Sequence, residues 1–255
     1  MLGSHALGVY TIAYEISNLP TTELVAPINR AVLPGYSKMA CDIALMRQGF
    51  LNVLSMIALC ALPAGIGIAI VADLMVKVVL GSKWQEAVPL IQVLAISGAI
   101  TALQTNTGSL YMALGKPRYL TFISSVNVFL VFIPLLITLL KLHGVLGIAE
   151  AYLCSNLIMW PINYFIVGRL IQLSYLEMCS VIWRPFLACG LMAVGIIYGR
   201  DYMNIIYPID IDEVRLVLEV VIGAFIYMIG VLLFWVASRF PDGAEKFILR
   251  KLNFI

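Results

Sequence analysis

Charge is what this sequence of 255 residues has least of: Asp, Glu, Lys and Arg together make up 12% of it, about half the share found in ordinary soluble domains. A chain that is 62% hydrophobic, with mean hydropathy +0.99, is an integral membrane protein. Histidine is scarce too. With only His5 and His143, neither a His-based catalytic triad nor a metal cluster can be assembled from this chain alone. The five cysteines, Cys41, Cys60, Cys154, Cys179 and Cys189, are odd in number and scattered, which argues against a disulfide framework or a thiolate metal site. They read as small packing residues. No Gly-Lys-Ser/Thr motif cradles a phosphate, so there is no sign of an ATPase. No catalytic residue, metal or cofactor is expected, and a net charge of +2 implies no nucleic-acid partner.

What the chain does have is long uncharged runs. A bilayer needs about 20 apolar residues per helix, and runs of that order extend over residues 48–72, 87–115, 119–140, 151–168 and 220–238. A shorter run, 185–199, reaches membrane length only if it extends past Arg184 or Arg200, whose long stems can snorkel. Residues 8–37 add a seventh span of unusual content: it carries Glu15, Glu23 and Arg30 together with Pro20, Pro27 and Pro34. Before it, Met1 to His5 lacks the basic stretch of a cleavable signal peptide, so this helix is expected to stay in the mature chain. The fold class is therefore all-α, a polytopic membrane protein of about seven transmembrane helices.

The basic residues alternate between the two ends of these helices. Arg30, Lys38, Arg47, Lys116, Arg118, Arg169, Arg184, Arg239, Lys246, Arg250 and Lys251 fall on one side, 11 of the 16; Lys77, Lys83, Lys141, Arg200 and Arg215 fall on the other. The positive-inside rule makes the first set cytoplasmic, with the C-terminus inside and the N-terminus outside. The connections are too short for a soluble domain, so any chemistry belongs in or at the membrane. Three segments, 72–84, 170–183 and 243–255, read as interfacial helices that anchor at the membrane surface.

The charged helix is the first candidate site. At about 100° per residue, Glu15, Glu23 and Arg30 fall within about 80° of one another, on one face. Pro20, Pro27 and Pro34 recur every seven residues and define a common stripe. Two readings stand. The face lines a wet cavity where Arg30 meets an anion and the carboxylates bind or balance cations, or these side chains pair with other helices and snorkel to the interfaces. A second candidate is the polar run 104–109 with Gln92, together with Ser124, Ser125 and Asn127 on the next helix. Such groups commonly pack membrane helices. Gln104 and Asn127 can also match sugar hydroxyls through paired donors and acceptors. Glu150 and Glu219 read as boundary residues.

Three stretches together resemble a known family. Leu2 to Tyr14, continuing through Leu19-Pro20 to Pro27-Ile-Asn-Arg-Ala-Val-Leu-Pro-Gly-Tyr-Ser37, resembles the helix that opens a half of bacterial polysaccharide flippases, in the multidrug/oligosaccharidyl-lipid/polysaccharide exporter superfamily. Val79-Leu-Gly-Ser-Lys-Trp84 followed by Pro89 to Leu94, and the loop Ala113-Leu-Gly-Lys-Pro-Arg118, match it in order and spacing. The resemblance implies residues 1–170 as a partial second lobe with five transmembrane helices. Residues 171–255 follow as an interfacial segment, two further transmembrane helices and a cytoplasmic tail.

It further implies movement of an undecaprenyl-pyrophosphate-linked oligosaccharide across the bacterial inner membrane by alternating access, with Arg30 as the best match to the basic cavity residues that receive the pyrophosphate. Membrane lipids surround the chain, and glycan polymerase and chain-length machinery are implied as pathway partners. Family members usually have twelve to fourteen helices, so this chain looks like the second lobe without its first helix. The other lobe is expected from another polypeptide or a second copy. A cation-coupled multidrug exporter, which Glu15 and Glu23 would suit, is the nearest alternative. A membrane-embedded glycan-assembly enzyme would call for a large outer loop or a catalytic His. The orientation has a direct check: alkaline phosphatase fused after Leu142 is active, and green fluorescent protein fused after Ile255 fluoresces. The opposite pair of results reverses the topology.

Overall fold

In hydrocarbon every backbone N–H and C=O must bond within its own segment, so apolar runs can only become helices. The computed structural model describes residues 3–206 and 211–238 and contains seven membrane-length helical rods. Residues 4–39 form α1, Ile43–Leu80 α2, Val88–Ala113 α3, Pro117–His143 α4, Val145–Ile171 α5, Tyr175–Ile206 α6 and Asp212–Ala237 α7. Six of them are long and apolar enough to cross a membrane by themselves; α1, with its charges, is the seventh.

Several rods outrun the uncharged stretches. Arg47 lies in the first turns of α2, capped by the Asp42 carboxylate on Ala44 and Leu45 N–H, and it pairs with Glu177 at the start of α6. Lys77 near the other end of α2 pairs with Asp212 at the start of α7, 2.6 Å away. Two segments expected as interfacial helices are not separate elements. Residues 72–80 complete α2, which stops only at Gly81, whose φ of 86° favours glycine; residues 82–87 form a single 3-10 turn. Residues 170–183 divide between the ends of α5 and α6, with Gln172 in the left-handed conformation at the turn. The 243–255 segment lies outside the described residues.

Proline explains two of the wide turns. In α1, residues Pro20–Val25 form a π-helical stretch in which Ala26 N–H bonds to Thr21 C=O, five residues back, just ahead of Pro27. The same pattern ends at Ile133, just ahead of Pro134. A proline ring clashes with the carbonyl four residues back, and a widened turn moves that carbonyl aside. The backbone of α1 keeps helical angles throughout this stretch, so the rod is wound differently but not broken. The inserted residue also corrects the expected proline stripe: Pro20 is buried, while Pro27 and Pro34 are exposed.

Helix α3 sits at the centre, packed on α2, α1 and α5, with α4 packed on α5 and, through its first turns, on α3, and α6 and α7 on α2. Small residues permit the approach. A Cβ on Gly65 of α2 would stand 2.7 Å from Ala95 C=O of α3, and one on Gly98 of α3 would stand 2.8 Å from Ser17 C=O of α1. Buried Ile57, Ala61, Ala99, Leu103 and Tyr111 fill the space between these helices.

Glu219 is not a boundary residue. It is 1% exposed and joins α7 to α6: Arg200 donates to both its oxygens, at 3.0 and 2.6 Å, and Arg215 donates at 3.3 Å. Arg200 also reaches Ile70 C=O on α2, so it is a cross-link between helices and does not snorkel. Breaking a buried pair typically costs about 3–5 kcal/mol. Glu219→Ala is expected to lose stability of that order in denaturant unfolding of the micelle-bound protein; a loss under about 1 kcal/mol would show the triad to behave as a surface pair.

Candidate functional site

Two polar regions emerge, and they are separate. The first is the open face of α1. Val9, Ala13, Ser17, Val25, Val32 and Tyr36 turn inward, held to α3 by Ser17 Oγ on Ile91 C=O and Thr21 Oγ1 on Gly98 C=O. Tyr36 donates to Asn106 Oδ1 at 2.7 Å, and Asn106 reaches Phe50 C=O on α2. The opposite face presents Thr11, Tyr14, Glu15, Thr22, Glu23 and Arg30, all exposed. The sequence-derived grouping of the three charges on one side of the rod is thus present, and none of the three makes an ion pair among the described residues.

The exposed faces of the other helices are of a different kind. On α4 only Ile123 is buried, and Phe122, Phe129, Leu130, Ile137 and Leu142 face outward. On α6 and α7 the outward residues include Phe186, Val194, Val217, Val221 and Phe225. Those surfaces suit lipid. A face carrying two carboxylates and a guanidinium does not, because ionisable groups at membrane depth are stable only against protein partners or water.

The second region lies between α3, α4 and α5 and contains Gln104 and Asn127. Its wall is a run of interhelical hydrogen bonds: Asn156 Nδ2 donates to Ser97 Oγ at 2.9 Å, Asn163 Nδ2 to Gln104 Oε1 at 3.3 Å, and Tyr111 OH to Asn163 Oδ1 at 2.8 Å. Gln104 Nε2 reaches Asn156 C=O. Gln104 is therefore committed to joining α3 and α5. Asn127, at the start of the wide turn in α4, is not: its Oδ1 is closed off and has no hydrogen-bond partner. Of these, Gln104, Tyr111, Asn127 and Asn163 line a pocket of about 210 Å³, and Ser97 and Asn156 lie outside its lining. Asn156 and Asn163 escaped the sequence reading because nothing local marks them; their partners lie 59 residues away.

A larger apolar cavity, about 520 Å³, opens between α2, α6 and α7 and is lined by Cys60, Pro63, Gly67, Met192, Val220 and Tyr227. Among the described residues no group of three His, Cys, Asp or Glu is placed to hold a metal ion.

Comparison with known proteins sets these features in a family. Residues 1–89 match the model of a family described as polysaccharide biosynthesis protein. The teichuronic acid biosynthesis protein TuaB of Bacillus subtilis is 30% identical over 98% of this chain and half of its own length. The lipopolysaccharide biosynthesis protein WzxC of Escherichia coli is 27% identical over 73% of the chain and 38% of its own length. Among solved structures, the lipid II flippase MurJ in an inward closed conformation superposes with a TM-score of 0.72 at 14% identity, over 91% of this chain and 48% of that one; at that identity the likeness speaks for the fold. The chain spans half or less of the length of these curated relatives. The sequence resemblance and the fold agree: this is a multi-pass membrane protein similar to polysaccharide biosynthesis proteins, corresponding to about half the length of such a relative.

Proposed function

We propose that the chain is one lobe of a transporter that flips undecaprenyl-pyrophosphate-linked oligosaccharide repeat units across the bacterial inner membrane for surface polysaccharide synthesis. The observation that carries the reading is the exposed charged face of α1 beside otherwise apolar outer surfaces. A lipid-linked glycan needs a wet path for its sugars and its diphosphate, and a polar helix face bordering a cavity supplies one wall of it. Arg30 offers the diphosphate a bidentate cationic partner. Glu23 and Glu15 lie about two and about four turns from Arg30 toward the other end of α1, where they disfavour an anion and so help it leave. The names of the relatives, which concern biosynthesis of teichuronic acid and lipopolysaccharide, support a glycan cargo over a cation-coupled multidrug exporter.

Alternating access needs two bodies that rock against each other. On this reading the second body is the lobe that the relatives' other half represents, supplied by further polypeptide or by a second copy, and the basic ends of the helices face the cytoplasm. Polymerase and chain-length machinery act downstream.

In a strain lacking its flippase, the chain alone is expected to leave surface glycan absent, and the chain fused to a first lobe from a relative to restore it. A fused, membrane-inserted protein that restores none would count against the assignment. Within that fusion Arg30→Ala abolishes rescue and Arg30→Lys keeps part of it. Full rescue by the Ala variant at equal membrane abundance would mean that Arg30 merely snorkels.

A further inference from the structure

We infer that the pocket between α3, α4 and α5 is a subsite for a single uncharged sugar ring, separate from the charged face of α1 and set to select the glycan. The inference rests on the flippase reading for its class of ligand and adds the place where that ligand is read.

Three observations carry it. First, the pocket holds polar groups of both kinds and no charge: Gln104, Thr107, Tyr111, Ser124, Asn127 and Asn163 contribute to its lining, against Leu120, Ile123 and Met159. A charged sugar or a phosphate would find no counter-charge there, whereas hydroxyls find acceptors and donors. Second, packing accounts for most of these groups but not for all. The amides of Gln104 and Asn163 and the Tyr111 hydroxyl bond to one another, while Asn127 Oδ1 is enclosed without a donor. A buried acceptor left unmade costs free energy and calls for an explanation; turning the Asn127 amide toward the pocket would bring its oxygen within reach of an incoming hydroxyl. Third, the space suits the task. A volume of about 210 Å³ corresponds to about seven waters, enough for one ring and too little for an oligosaccharide.

A purely structural role makes the opposite prediction for Asn127. If its amide packs the helices, replacing it destabilises the protein. If its acceptor waits for a ligand, an apolar side chain there is neutral or stabilising in the empty protein and harmful to binding.

The test uses the full chain in lipid nanodiscs, free of sugar-based detergent, with two probes: methyl glycosides of neutral hexoses and of uronic acids, read by saturation-transfer NMR, and geranylgeranyl diphosphate, read by calorimetry. The expected result is saturation transfer to a neutral glycoside and little to the uronic acids. Asn127→Leu weakens that binding by about tenfold with an unfolding midpoint equal to or above that of the unmodified protein, and Ser124→Ala weakens it in the same direction. Neutral glycosides that show no transfer, in a protein that binds the diphosphate, overturn the subsite and leave the flippase reading standing. Glycoside binding without diphosphate binding does the reverse. An Asn127→Leu protein that is less stable and binds glycosides undiminished also overturns the subsite.

Discussion

The structure depends on one constraint: inside a bilayer a polar group must find its partner within the protein. Helix α3 is where this is met. It gives up bulk along Ala95, Gly98, Ala99 and Ala102 so that α1 and α2 come close, and in the space gained it bonds to α1 through carbonyls and to α5 through amides. With lipid on the outside there is little hydrophobic drive between helices, so close contact of small residues and these bonds hold the bundle together. At the ends the pairs Arg47 with Glu177 and Lys77 with Asp212 fix α2 against α6 and α7, and the buried Glu219 triad locks the last two helices to α2.

The same constraint identifies what is out of balance. Among the described residues, the buried side-chain atoms left without a hydrogen-bond partner are Asn29 Oδ1, Asn127 Oδ1 and Trp160 Nε1, and the three charges on the open face of α1 make no ion pair. The charged face matches the electrostatics of a diphosphate linked to a hydroxyl-rich glycan, and the neutral pocket matches the glycan itself. On the proposed reading, charge would serve the part common to all such cargo and neutral amides the variable part.

Much of the fold was legible in the sequence because membrane helices announce themselves by what they exclude. The seven spans are readable and their ends are not, since the uncharged run 48–72 excludes Arg47 and Lys77, which lie within α2 and pair its ends to other helices. The stripe around Asp73 and Lys77 has the look of a surface helix, yet it completes α2, and only Gly81 ends it. Glu219 shows the limit most clearly: a carboxylate just ahead of an apolar run reads as a boundary until Arg200 is seen across from it. The common face of Glu15, Glu23 and Arg30 followed from helical periodicity and survives the wide turn at Pro20–Val25 because the open side of α1 is broad. The pocket of Gln104 and Asn127 required three helices that are neighbours in space alone, so sequence could name its members without bringing them together.

The central claim is that the charged face of α1 meets water within the membrane. Single cysteines placed at positions 15, 23 and 30, in a chain whose five native cysteines are replaced, can be reacted with a membrane-impermeant maleimide in inside-out and right-side-out vesicles. Labelling at all three, against protection at Val9, Ala13 and Val32 on the buried face, is the result this structure predicts. Protection at 15, 23 and 30 from the aqueous reagent, with labelling by a lipid-soluble one, would place that face against lipid and contradict it.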